Sequence, residues 1–368
     1  MATNESHVRY LKTLVQLSKQ CATIESLIGN PEFRQYNRDS TLQLDAEGTM
    51  LRALTEDLTA RIEDECTKIA LSFNNADVAV LGQAAADRMI KERLPLLVSF
   101  IKTLPTSAGE TFLDAYLALT RDLLSRLAAL FTSVAESFAL TVRGRTLPKD
   151  LQQRTLSNAQ LSWDACKALH GGPRNNLQAV RRKWVLDITP LVADAARELG
   201  ETLAEGSGGE ADGSEENAGK DSKAGEKQED GDGDEQEEKE EEDDDDGISD
   251  GTADWSVEKR ELAQEVLNYT QLITEFYMVV DKACLRRSQN QNAELVAWLD
   301  ALVPQGQALS GDVDEVVCAV WEEDEVDNIR PFLNTLQEHA RQMASTVRPR
   351  MDPQAPELTV LERLAAKA

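Results

Sequence analysis

Apolar residues recur at steps of three and four along most of this chain. Phe112, Tyr116, Leu119, Leu123, Leu127, Leu130, Val134 and Phe138 trace one stripe down about seven turns of a 3.6-residue helix. Leu51, Leu54, Leu58, Ile62, Cys66, Ile69 and Phe73 form a second stripe, and Leu262, Val266, Tyr269, Ile273, Phe276 and Val280 a third. Arg121, Asp122, Arg126 and Glu136 fall off the first stripe, so that helix has a wet face and a dry one. Each dry face demands a neighbouring helix to cover it. Alternating β-type runs and Asn-Gly hairpin turns are absent, and the pattern predicts an all-α protein.

Punctuation residues divide the stripes. Gly29-Asn30-Pro31 ends a first helix over about 6–28, and Ser72 to Asp77 closes the second and caps the third. Leu104-Pro105-Thr106 ends the third. Arg143-Gly144-Arg145 and Leu147-Pro148 follow the fourth, and His170-Gly171-Gly172-Pro173 breaks a fifth helix around Trp163. A sixth runs from about 175 to 203 with Pro190 inside it, which predicts a kink or break. Further helices are predicted at about 255–287, 291–303, 312–321 and 325–347, with a weaker segment at the end. Long antiparallel helices joined by short loops make bundles.

Charge changes this picture in one place. Residues 201–250 hold 23 Asp and Glu against 4 Lys, a local net charge of −19 out of −27 for the chain, with no aromatic side chain. Such a stretch buries too little apolar surface to offset the entropy of ordering. The expected organisation is two helical-bundle lobes joined through a disordered acidic linker: an N-terminal bundle over 1–204, the linker over 205–252, a C-terminal bundle over 253–350, and a tail with a short helix over 351–368. The linker reads first as a self-repelling spacer that lets the lobes approach or separate. Its other reading is a contact for basic proteins such as histone tails.

Candidate chemistry is sparse. Cys21, Cys66, Cys166, Cys284 and Cys318 form no CxxC or CxxH pair, so they read as reduced thiols of an intracellular protein. No signal peptide and no apolar run of about 20 residues is evident, and the expectation is a protein of cytoplasm and nucleus, not of membranes. Net acidity argues against direct nucleic-acid binding. The three histidines, His7, His170 and His339, lie in no HExxH spacing, and there is no phosphate-binding GxxxxGK[ST] or GxGxxG loop. Asp243 to Asp246 lack the spaced ligands and closing Glu of an EF-hand. No catalytic, cofactor-binding or metal residue is expected, and no enzymatic activity. Arg181-Arg182-Lys183 reads as a solvated helix face. Arg52-Ala53-Leu54 and Arg145-Thr146-Leu147 hold the Arg-x-Leu of cyclin-docking peptides, but tripeptides this loose occur by chance and Leu54 lies on a stripe predicted to be buried.

The order of the more distinctive blocks points further. A Trp163-x-Ala165-Cys166 helix, then Pro173-Arg174-x-Asn176, a helix running into the acidic tract, a Trp255-Ser256 restart and Lys282-Ala283-Cys284-Leu285 together resemble the cyclin-D-binding protein family, also called GCIP. The resemblance implies a two-domain helical protein without enzymatic activity, in cytoplasm and nucleus, whose partners are cell-cycle regulators and regulators of helix-loop-helix transcription factors, and which dampens proliferation or transcription. Read from the residues alone, Trp163, Ala165, Cys166, Pro173, Arg174, Asn176, Trp255, Ala283 and Cys284 are structural positions, a packed Trp at a helix-turn-helix corner among them. The tryptophans Trp163, Trp184, Trp255, Trp298 and Trp321 are partner anchors if exposed and core if buried.

Overall fold

The computed structural model describes residues 2–45, 47–73, 79–205, 255–286 and 292–366. Most of the tract predicted as linker, residues 206–254, lies outside them. Among the described residues there is no strand, and the all-α prediction holds.

The N-terminal core is built on α6 (Glu110–Val142). Beside it runs α1 (Ala2–Gly29) in the opposite direction: Tyr10 meets Phe138 edge-on at 5.0 Å, Ser18 Oγ lies 2.9 Å from Thr132 Oγ1, and Gly29 faces Arg121. The short α2 (Arg34–Arg38) precedes α3 (Thr49–Leu71). Next come α4 (Ala79–Arg88) and α5 (Leu94–Thr103), and α7 (Lys149–His170) packs between α3 and α6. The predicted stripe on α6 is buried apart from half-buried Leu119, but so are Leu113, Leu124 and Phe131 on its other sides, because helices cover it from more than one direction. By length and composition α6 is long and apolar enough to cross a membrane, a property the sequence reading had not credited to it. Here it is the central helix of the bundle. Leu54 departs from its stripe and is 44% exposed.

The second core contains α8 (Asn176–Lys183), α9 (Thr189–Glu205), α10 (Val257–Val279), α11 (Ala293–Glu322), α12 (Val326–Val347) and α13 (Leu358–Ala366). The two buried clusters divide between Ala179 and Val180, not near residue 204. Trp184, Ile188, Val192 and Leu199, all before the acidic stretch, pack with Ile273, Phe276 and Leu302 after it. The tail differs too: Met351, Leu361 and Leu364 belong to this same core. Short-range periodicity shows which face of a helix is dry but not which neighbour covers it.

Three prolines show how the chain absorbs a missing N–H. Pro95 and Pro190 each follow a π-helical turn, Met89–Arg93 and Trp184–Ile188. The wider turn shifts the hydrogen-bond register just before the residue that cannot donate. The Thr189 hydroxyl donates to the Trp184 carbonyl at 2.9 Å. The kink or break expected at Pro190 is therefore a change of register. Pro304 goes further, for α11 runs unbroken through it where two helices were predicted. Packing holds that helix together. The Tyr277 hydroxyl donates to the Gly306 carbonyl at 2.6 Å, and a Cβ on Gly306 would stand 2.6 Å from the Trp184 ring.

A buried ion cluster ties α3 to α4 across the first π turn. Glu65, 2% exposed, accepts from Arg88 Nε and Nη2 at 2.6 and 2.7 Å and from Arg93 at 3.4 Å. A carboxylate so enclosed requires this paired, bidentate arrangement.

Candidate protein-binding surface

The first turn of any helix leaves its N–H groups without intrahelical partners. In α6 those of Glu110, Thr111 and Phe112 are satisfied from other elements. Asp300 on α11 accepts from Glu110 N at 2.9 Å, from Thr111 N at 3.2 Å and from the Thr111 hydroxyl at 3.3 Å. Buried Asn176, the first residue of α8, accepts from Phe112 N at 3.0 Å and donates to Asp300 at 3.0 Å. Gly109 (φ +119°) makes room, since a Cβ there would stand 2.1 Å from the Asn176 side chain. Asn175 caps α8 itself through Gln178 N at 3.0 Å. One knot of polar groups thus joins the two cores.

The residues singled out from the sequence sit around this knot or inside the cores. Ala165 and Cys166 are buried in the N-terminal core, and half-buried Trp163 packs against it. The Pro173 carbonyl accepts from the Tyr116 hydroxyl at 3.1 Å. Arg174 is exposed. Ala283 and Cys284 are buried on the π turn that follows α10. Trp255 is half-buried with the Lys259 ammonium 4.9 Å from its ring, beside the Ser256 cap of α10. Of the tryptophans, Trp184 is core and Trp321 is 39% exposed. Sequence reading missed Asp300 and Gly109. A weak signal was present: α6 begins at Gly109-Glu110 without the Ser, Thr, Asp or Asn that caps a helix locally.

Arg181, part of the basic triplet, is tied to buried Asp281 at 2.7 Å, which also holds Arg286 at 2.7 Å. That leaves Arg182 and Lys183 on the rim of a groove of about 400 Å³ between α6 and α8. Ala115, Ala118 and Ala179 form its floor, and Leu119 and Leu186 its apolar walls. The second π turn points Trp184 and Ile188 into the core and leaves Val185 and Leu186 outside, Leu186 at 60% exposure. On the opposite rim Asp114 is paired with Arg34. Small residues at i and i+3 under exposed leucine give a channel of the kind that accepts a helix.

The chemistry available elsewhere is limited. Among the described residues no group of three or more His, Cys, Asp or Glu side chains is disposed to hold a metal. Burial pushes the Cys21 and Cys166 thiols up to about 12 and raises Cys66 well above its ordinary value, which makes them poor nucleophiles. His339 pairs with Asp312 at 2.6 Å on the surface of the C-terminal core.

No curated protein matches the chain. Residues 55–205 match the family described as Grap2 and cyclin-D-interacting, N-terminal. That span runs from α3 to the end of α9 and holds the groove, the Pro173–Asn176 corner and the capped end of α6, while Asp300 lies beyond it. Over residues 55–205 the chain is thus similar to the N-terminal region of the Grap2 and cyclin-D-interacting family, which supports the resemblance read from the sequence.

Proposed function

We propose that this chain is a non-enzymatic protein-binding regulator of the cell cycle or of transcription, acting in cytoplasm and nucleus, that takes an amphipathic helix of a D-type cyclin into the groove between α6 and α8. One observation carries the reading: the groove lies wholly inside the matched span, 55–205. Alanines on the floor admit apolar anchors at i, i+3 and i+4, and Arg182 and Lys183, which make no ion pair among the described residues, favour a partner helix with an acidic flank.

The test is binding of purified D-type cyclin by the full chain and by Leu186→Asp. Leu186 is exposed, so the fold and its melting temperature stay unchanged. Affinity falls by about tenfold or more, the usual scale for removing a central apolar anchor. Equal binding by the two forms overturns the groove assignment, and failure of the wild-type chain to bind overturns the partner.

A second reading, a chaperone of histones or other basic proteins working through the acidic stretch, gains support from the packing of α9 directly on α10. Both ends of the stretch belong to one core, so spacing two lobes is not its task. Deleting 206–250 abolishes histone capture on this reading and leaves cyclin binding intact.

A further inference from the structure

A second recess lies where α3 meets the turn between α7 and α8, and it shares no lining residue with the groove. A cavity of about 460 Å³ opens there, and Arg52, Tyr116, His170, Gly171, Gly172 and Arg174 are among the residues that line it. Two close approaches build it. Gly48 (φ +66°) begins α3, and a Cβ on it would stand 2.7 Å from both Cβ and the carbonyl oxygen of Arg174. A Cβ on Gly172 would stand 2.9 Å from the Tyr116 ring. The start of α3 therefore touches the turn at backbone distance, and Arg52 and Arg174 come to line one small space.

In a chain of net charge −27, no lining residue is acidic. Arg34, Arg88, Arg93 and Arg181 are all held by carboxylates. Among the described residues Arg52 and Arg174 have no such ion pair. Every other residue of the Pro173–Asn176 corner has a structural bond to its name, whereas the Arg174 side chain has none among the described residues. His170 adds an enclosed Nδ1 without a hydrogen-bond partner. The Tyr116 hydroxyl already donates to Pro173, so it has only an acceptor to offer. The N-terminus of α3 contributes nothing, because Asp45 accepts from Thr49 N and Met50 N at 2.7 and 3.1 Å.

We infer that this cavity binds a phosphate monoester, borne by a phosphorylated protein side chain or by a free small phosphoester, with Arg52, Arg174 and His170 as its donors. Two planar forks and an imidazole match a compact dianion with three terminal oxygens. The cavity holds one such group with part of its carrier.

The test follows the imidazole NMR signals of the full chain during titration with inorganic phosphate at constant ionic strength, with chloride as reference. His170 shifts saturably with phosphate and not with chloride, while His7 and His339 stay still. Arg52→Ala and Arg174→Ala each weaken the response by about tenfold, the worth of one charge-assisted contact, and Arg174→Lys weakens it less. Both arginines are exposed, so the variants keep the fold, and unchanged signals of His7 and His339 verify it. A phosphoserine tripeptide and an inositol trisphosphate, run in parallel, separate the two sources, and saturation by either supports the site. A His170 response equal in chloride, or one indifferent to both alanine variants, overturns the inference.

Discussion

Asn176 Nδ2 donates to Asp300 Oδ1 at 3.0 Å, and through that contact α8 and α11 close the same end of α6. The cap of α6 is a tertiary structure in itself. The three N–H groups it satisfies belong to the N-terminal bundle, the carboxylate to the C-terminal one, and the amide to the segment between them. Removing Asp300 therefore loosens both a helix and a joint.

Asp300→Ala is expected to cost about 1–3 kcal/mol, the range for leaving buried donors unpaired or losing a cap. Amide hydrogen exchange is the sharper measure. Glu110 and Thr111 lose protection while the middle of α6 keeps it, and unchanged exchange at these two amides rules out the capping role.

Trp184 is buried among Ile188, Tyr277 and Gly306, and its Nε1 donates to the Tyr277 carbonyl at 3.1 Å. Trp184→Ala is expected to destabilise by about 3–5 kcal/mol. The loss appears in the C-terminal core, although the residue precedes the acidic stretch. Urea unfolding followed by exchange of α10 and α1 amides separates the cores; a loss confined to α1 contradicts the assignment.

Gly200 faces Leu267 and Trp184 faces Tyr277, so α9 and α10 run antiparallel and the ends of the acidic stretch return to one place. Deleting 206–250 shortens the connection between α9 and α10 to a few residues. At about 0.6 kcal/mol per doubling of loop length, the folded state gains about 2 kcal/mol. A melting temperature below that of the full chain shows instead that the stretch contributes to the fold.

Folded thiols that ionise only near 12 give alkaline sensitivity. Cys21 and Cys166 have an ordinary value of 9.0 and are pushed up to about 12 by burial. Above 9 the unfolded chain releases these protons and the folded chain keeps them, so stability falls as pH rises through that range. Stability measured by urea at pH 8 and pH 10 declines for the native chain. The decline lessens in Cys21→Ala and Cys166→Ala, each compared with itself at the two pH values, and an equal decline in these variants removes the thiols as its cause.

Much of the fold was legible because helical periodicity is a local property. The stripes on α3, α6 and α10 follow from spacing alone, and Leu54, exposed where its stripe predicted burial, marks the edge of that logic. Prolines were read less well. Pro190 gave a π turn and Pro304 no break at all, since the cost of a missing N–H depends on which side chains and carbonyls surround it. The candidate site was legible only in fragments: Pro173 to Asn176 stood out, but Asp300, 124 residues from Asn176, carried no mark of its own.

By itself the sequence determined that the chain is helical, which faces of its helices are dry, and where a stretch of like charge must repel itself, because spacing, propensity and charge density act over a few residues. Which helices share a core was decided only by tertiary packing. Val180 and Trp184 join α10 across the acidic stretch, α6 takes its cap from α8 and α11, and Gly48 meets Arg174, since burial rewards any complementary face regardless of its distance along the chain.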